Sequence, residues 1–94
     1  MTVVVTTNAL ARTRGFLASC MLELAPGVYT APRMSRAVRE RVWAVLEDWH
    51  NAEPAGSVVM TFADKSLPGG QAVQTLGLPP MTLVDHDGLI LVRR

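Results

Sequence analysis

Apolar positions along the chain recur at two spacings, and each spacing selects an element. Val3, Val4 and Val5 make a short β-branched run that ends at the polar Thr6-Thr7-Asn8, which predicts a first strand buried on both faces. Asn8 suits the turn or cap that follows. From Leu10 to Leu24 the apolar residues Leu17, Cys20, Met21 and Leu24 fall at i, i+3, i+4 and i+7, the period of an amphipathic helix. Pro26-Gly27 stops it. Val28-Tyr29-Thr30 reads as a short second strand that Pro32 keeps from extending.

A second helix is the clearest element. Val38, Val42, Val45, Leu46 and Trp49 form one stripe, with Ser35 as the N-cap and Glu53-Pro54-Ala55-Gly56 as the stop, so the helix runs from about Ser35 to Ala52. Ser57 to Ala63 is then a strand. Pro68-Gly69-Gly70 is a loop into a weaker strand near Ala72 to Leu76, joined to its predecessor as a hairpin. After Pro79-Pro80, the segments Met81 to Val84 and Leu89 to Val92 flank Asp85-His86-Asp87-Gly88, whose Asp-Gly step signals a turn. Leu89-Ile90-Leu91-Val92 has no polar alternation, so a strand there needs cover on both faces. Strand addition to a second subunit supplies that cover, the alternative being an internal edge strand covered by a loop of its own chain.

This order is α+β, with both helices on one face of a mainly antiparallel sheet: a ferredoxin-like β-α-β-β-α-β sandwich with additional C-terminal strands. Residues 1–94 are expected to form one domain, with 81–94 as a C-terminal strand segment for partner or dimer contacts. The chain has 94 residues, 49% of them hydrophobic and 18% charged, values that exclude disorder. Aromatic residues make up only 5%, so Val, Leu, Ala and Met build the core. A chain this short buries roughly two thirds of its unfolded surface, which favours a homodimer. No apolar run approaches the ~20 residues of a membrane span, and the opening residues show no signal-peptide pattern. A cytoplasmic location is expected. The single Cys20 excludes an intrachain disulfide and a Cys-rich zinc site.

The net charge of +1 hides an uneven distribution. Up to Arg41, six arginines face two acids, and from Val42 to Asp87 Lys65 alone faces six acids. Arg12 and Arg14 sit at the expected start of the first helix, where the macrodipole disfavours cations unless something compensates. A phosphate would serve, held by helix-start N–H groups and two converging guanidinium groups, with Gly15 allowing a close backbone approach. Alternatively both arginines point to water. Arg33, Arg36, Arg39 and Arg41 extend the same footprint or form a solvated face, and Arg36 with Glu40 is spaced to pair. Arg93 and Arg94 read as a terminal tail.

Other candidates have simpler roles. His86 lies between Asp85 and Asp87, but successive residues point different ways and the Asp-Gly step is explained by turn geometry. His50 reads as a cation at a helix C-terminus. Cys20 reads as a small core residue, and Trp43 as cover for a dimer surface or the core edge. No P-loop, dinucleotide fingerprint, HExxH or nucleophile-elbow pattern occurs.

Taken in order, Val3-Val-Val-Thr-Thr-Asn8, Arg12-Thr-Arg-Gly15, Met21-Leu-Glu-Leu24, Gly27-Val-Tyr29, Val38-Arg-Glu40 with Trp43, Val58-Val-Met60, Gln74-Thr75 with Gly77-Leu78, and Asp85-His-Asp-Gly-Leu89 resemble the CRISPR-associated Cas two family of type I-E systems. The resemblance implies a ferredoxin-like homodimer for spacer acquisition that bridges dimers of the Cas one integrase and binds duplex prespacer DNA through its phosphates. Arg12 and Arg14 match family arginines that contact DNA, and Leu89, Ile90, Leu91 and Val92 match a strand used in protein contacts. Arg36 and Arg39 join the nucleic-acid-binding candidates. Two departures stand out. Thr7 occupies the end of the first strand, where many relatives of this endoribonuclease family carry an acidic residue for Mg2+, and a hydroxyl is a poor replacement. Pro79-Pro80-Met81 stands where relatives can carry basic residues.

Three functions follow. The leading one is a non-catalytic DNA-binding scaffold that needs no cofactor. The second is an Mg2+-dependent endonuclease acting on RNA or DNA, with Asn8 as a metal ligand and an acid such as Asp64 beside it. The third is a ferredoxin-like small-molecule regulator.

Overall fold

Strand β1 (Thr2–Thr7) lies at the centre of a five-stranded sheet in a computed structural model that describes residues 1–79 and 82–93. Helix α1 (Ala11–Cys20), strands β2 (Leu22–Ala25) and β3 (Val28–Ala31), helix α2 (Arg36–Ala52) and strand β4 (Ser57–Ala63) follow. A short 3-10 turn (Pro68–Gly70), β5 (Gln71–Leu76), β6 (Thr82–His86) and β7 (Leu89–Arg93) complete the chain. The sheet order is β2-β3-β1-β4-β5 with every pairing antiparallel, and β6 pairs with β7 separately. This is the expected α+β arrangement, compatible with a ferredoxin-like fold.

Register places Val4, Tyr29 and Met60 side by side. With Leu17 and Met21 and the α2 residues Val42 and Leu46 they form one core cluster, so both helices cover the same face. Thr6 shares that face and donates its hydroxyl to the Gly27 carbonyl at 3.2 Å, which satisfies a buried polar atom. β1 is thus buried on one face rather than two. Its other face, with Val3, Val5 and Thr7, has no helix over it, and Val5 is 39% exposed.

The first helix is shorter than expected. It ends at Cys20, and Met21 turns the backbone extended (φ −137°) while its N–H closes the helix on the Leu17 carbonyl at 2.8 Å. Met21 still reaches the core. Leu22 to Ala25 pair with β3 as a hairpin, because Pro26 and Gly27 (φ 78°) occupy the two central positions of a turn that favours Pro then Gly. The same dipeptide that can stop a helix here reverses a strand. Cys20 therefore lies on the surface, not in the core.

α2 begins where expected. The Ser35 hydroxyl accepts the Val38 N–H at 3.2 Å, and Val42 and Leu46 are buried, though Val38 at the start of the stripe is 42% exposed. Trp43 packs half-buried at the core edge, and His50 sits in the last helical turn. Among the described residues no helix is long and apolar enough to cross a membrane.

β6 and β7 form the expected hairpin. Asp87 and Gly88 both have positive φ (53° and 82°), and the Asp85 carboxylate accepts the Gly88 N–H at 3.0 Å, a side chain copying a backbone turn. The four apolar residues Leu89 to Val92 are each at least 39% exposed, so among the described residues their cover is incomplete, with Ile90 lying beside Gly69. Arg93 closes β7 rather than starting a free tail. Pro80, Met81 and Arg94 lie outside the described residues, and with them most of the Pro79-Pro80-Met81 departure.

Two glycines make opposite predictions. A Cβ on Gly56 (φ 62°) would run into the Thr7 carbonyl, whereas one on Gly15 meets no protein atom within 4 Å. Gly56→Ala should destabilise by about 2 kcal/mol or more. Gly15→Ala, in a helix interior, should stabilise by up to about 1 kcal/mol. Urea unfolding midpoints check both.

Candidate nucleic-acid interface

α1 starts without a cap. Leu10 occupies the N-cap position with no side-chain hydrogen bond, and no acid lies in the first turn. The N–H groups of that turn are thus left without a side-chain cap at the positive end of the macrodipole. Arg12 and Arg14 flank this start, as the sequence predicts, but two residues of helix separate them by about 200°. They take different directions.

Arg12 reaches back over α2. Its guanidinium lies 4.8 Å from the centre of the Trp49 ring, and Trp49 meets Phe16 edge-on at 5.4 Å. The negative face of the indole offsets the macrodipole penalty on the cation. Compensation thus comes from an aromatic face within the chain. Arg14 points to the other side, toward a concavity of about 450 Å³ at the end of β1 lined also by Thr6, Asn8, Ala9, Pro26 and Gly27. The two guanidinium groups do not converge on one point in a single copy.

Arg36 and Arg39 lie at the opposite end of α2. Arg36 pairs with Glu40 at 2.9 Å on the exposed helix face, the i, i+4 pairing expected from spacing. Arg39 stacks on Phe62 at 3.6 Å. Both border a groove of about 640 Å³ with Trp43, Asp64, Lys65 and Gln74. From Arg39 to Trp49 the helix rises about 15 Å, so the four arginines make two clusters. Arg33 and Arg41 are exposed.

Near Arg14 lies the one tyrosine of the chain. Tyr29 is fully buried, and its hydroxyl has no hydrogen-bond partner among the described residues. Burial first and the neighbouring Glu23 carboxylate second push its pKa up, with Arg14 opposing.

Across residues 1–91 the sequence matches a family described as CRISPR-associated protein (Cas_Cas2CT1978). The chain belongs to this family. That membership gives the chain a role in a CRISPR system.

The metal constellation considered for this family member does not assemble. Asn8 is exposed at the end of β1 with positive φ (54°), a turn residue rather than a helix cap. Asp64 lies beyond the opposite end, since Thr2 pairs with Phe62 and Thr7 with Ser57. More than about 20 Å of strand separates them. Asp64 is also occupied: its carboxylate accepts the Ser66 hydroxyl at 2.7 Å and the Ser66 N–H at 3.0 Å, which lowers its pKa. Among the described residues no group of three or more His, Cys, Asp or Glu is placed to hold a metal ion. Asn8 and Asp64 therefore do not fit a shared Mg2+. His86 is exposed beside Asp87, at 4.0 Å, on the hairpin turn.

No local pattern marks the stacked pairs, because Arg12 and Trp49 are 37 positions apart and Trp49 reads as core stripe. The buried hydroxyl supplies the test of this region. Tyr29→Phe should hold or slightly raise stability, since it removes an unpartnered buried oxygen. A raised folded-state pKa means stability is fully present below the ordinary tyrosine value of 10.0 and falls as pH climbs past it. Urea midpoints between pH 8 and 11 should fall more for the native chain than for Tyr29→Phe.

Proposed function

We propose that the chain is a homodimeric scaffold of CRISPR adaptation in a type I-E system, acting in the cytoplasm, which bridges Cas one integrase dimers and binds duplex prespacer DNA through its phosphates. The observation that carries this reading is the uncapped start of α1 between Arg12 and Arg14, in a chain whose family match spans residues 1–91. Uncapped N–H groups, a positive dipole end and guanidinium groups suit a phosphate backbone and carry no base-reading pattern. Binding by this means is indifferent to sequence and weakens with salt.

Dimerisation is supported by the face of the sheet that lacks helices. Register puts Val3, Val5, Val28, Val59 and Val73 on that face, an apolar patch that a second copy would bury. The exposed Leu89, Ile90, Leu91 and Val92 offer a separate apolar strand for the integrase or the partner copy. A scaffold of this kind needs no metal.

Duplex binding measured between 50 and 300 mM salt (roughly the range over which counterion release is read) tests the phosphate contacts. Replacing Arg12 and Arg14 together by alanine should reduce the slope of log K against log salt by about 1.8 per engaged protomer. An unchanged slope removes both residues from the interface. Sedimentation velocity tests the dimer: Val5→Glu should give monomers, while Val38→Glu, at a valine of similar exposure on the helix face, should not.

A further inference from the structure

We infer that Trp49 is a positioning residue for DNA binding: its indole face seats the Arg12 guanidinium at the start of α1, so that the fork meets a phosphate without first being ordered. The inference rests on the phosphate-binding reading above and goes beyond it, because it assigns a role to a side chain that need not touch DNA.

Three observations carry it. Arg12 is exposed, yet its guanidinium is fixed 4.8 Å above the ring. A free arginine samples many rotamers, and ordering it at an interface costs free energy that a pre-seated one avoids. The ring itself is fixed: Trp49 is half-buried and meets Phe16 edge-on at 5.4 Å, while Phe16 packs against the core. The seat is thus tied to the body of the domain. Finally, an uncapped helix start repels a cation. Without the ring, Arg12 would swing away from the N–H groups with which it shares an anion.

Stacking distinguishes the guanidinium from a plain positive charge. Lysine keeps the charge and loses the planar face and fork. The ring therefore makes Arg12→Lys a costly change, and it makes the Trp49 effect depend on arginine at position 12. Arg39 on Phe62 at 3.6 Å shows the same arrangement at the other end of α2.

The experiment is a double-mutant cycle with a fixed blunt duplex as probe, using the full chain at one salt concentration, with a salt titration for each variant. Trp49→Leu should weaken binding by about two- to five-fold, the value of an exposed cation–π contact, without changing the salt slope, because no charge is lost. Arg12→Lys should weaken it similarly, also at constant slope. In the Arg12→Ala background, where no cation is left for the ring to seat, Trp49→Leu should have no further effect. Equal weakening by Trp49→Leu in both backgrounds would show that Trp49 acts only through packing and would overturn the inference. Native affinity in both single variants, with Arg12→Ala still losing slope, would also overturn it and leave phosphate binding intact. Loss of neither slope nor affinity in Arg12→Ala would instead remove Arg12 from the interface altogether. Trp49→Phe, which keeps an aromatic face and most of the volume, should bind within two-fold of the native chain (roughly the lower bound of the contact); it serves as the readout if Trp49→Leu does not fold, and five-fold weaker binding by a folded Trp49→Phe would count against the ring as a seat.

Discussion

Backbones meet without side chains between them at the C-terminal end of β1, and this crowding fixes where everything else in the fold begins. The Thr6 N–H and hydroxyl both reach the Gly27 carbonyl. Gly56 lies against Thr7 and Asn8, where any Cβ would collide. The β2-β3 turn and the loop from α2 to β4 are thereby pressed onto the residues that launch α1. Asn8 turns in the left-handed region, and three residues later the helix starts. The place and direction of Arg12 and Arg14 follow from this junction, so a backbone constraint in the sheet sets the geometry of the surface proposed to bind DNA.

Arginine at a helix start is electrostatically unfavourable, and the two arginines here meet the problem differently. Arg12 is offset by the indole face of Trp49. Arg14 lies beside the β2-β3 turn, in reach of the Glu23 field that also acts on Tyr29. One cation is seated on a rigid ring and the other faces an open concavity. A phosphate approaching the uncapped start of α1 would therefore meet one ordered guanidinium and one that must be recruited. The cost of ordering is unequal between two residues that look equivalent in the sequence.

The periodic parts of the fold were legible because one residue type dominated each. Val42, Val45 and Leu46 mark α2, Ser35 caps it, and Asp87-Gly88 turns the last hairpin. The segment from Met21 to Leu24 was misread because Met21 and Leu24 satisfy a helical period from Leu17 while also fitting a short strand, and only the pairing with β3 decides between them. Burial of β1 was overestimated for a related reason: a run of three valines says nothing about which side the helices will occupy. At the candidate site, the helix-start arginines and the Arg36–Glu40 pair are local features and could be read from spacing. Arg12 on Trp49 and Arg39 on Phe62 are contacts between distant segments, so no local pattern carries them.

The acids explain why the charge asymmetry of the sequence matters for the surface. Asp85 closes the hairpin turn by accepting the Gly88 N–H, Asp64 holds the loop through Ser66, and Glu40 pairs with Arg36. Each carboxylate is spent on its own neighbourhood. A hydrolytic metal centre needs the opposite, several carboxylates brought to one point from different elements. These three acids stabilise turns and one helix face, while Arg12 and Arg39 rest on aromatic rings and carry no carboxylate partner among the described salt bridges. Arginine contacts with aromatic rings thus lie at both ends of α2, while among the described residues no group of three or more His, Cys, Asp or Glu comes together.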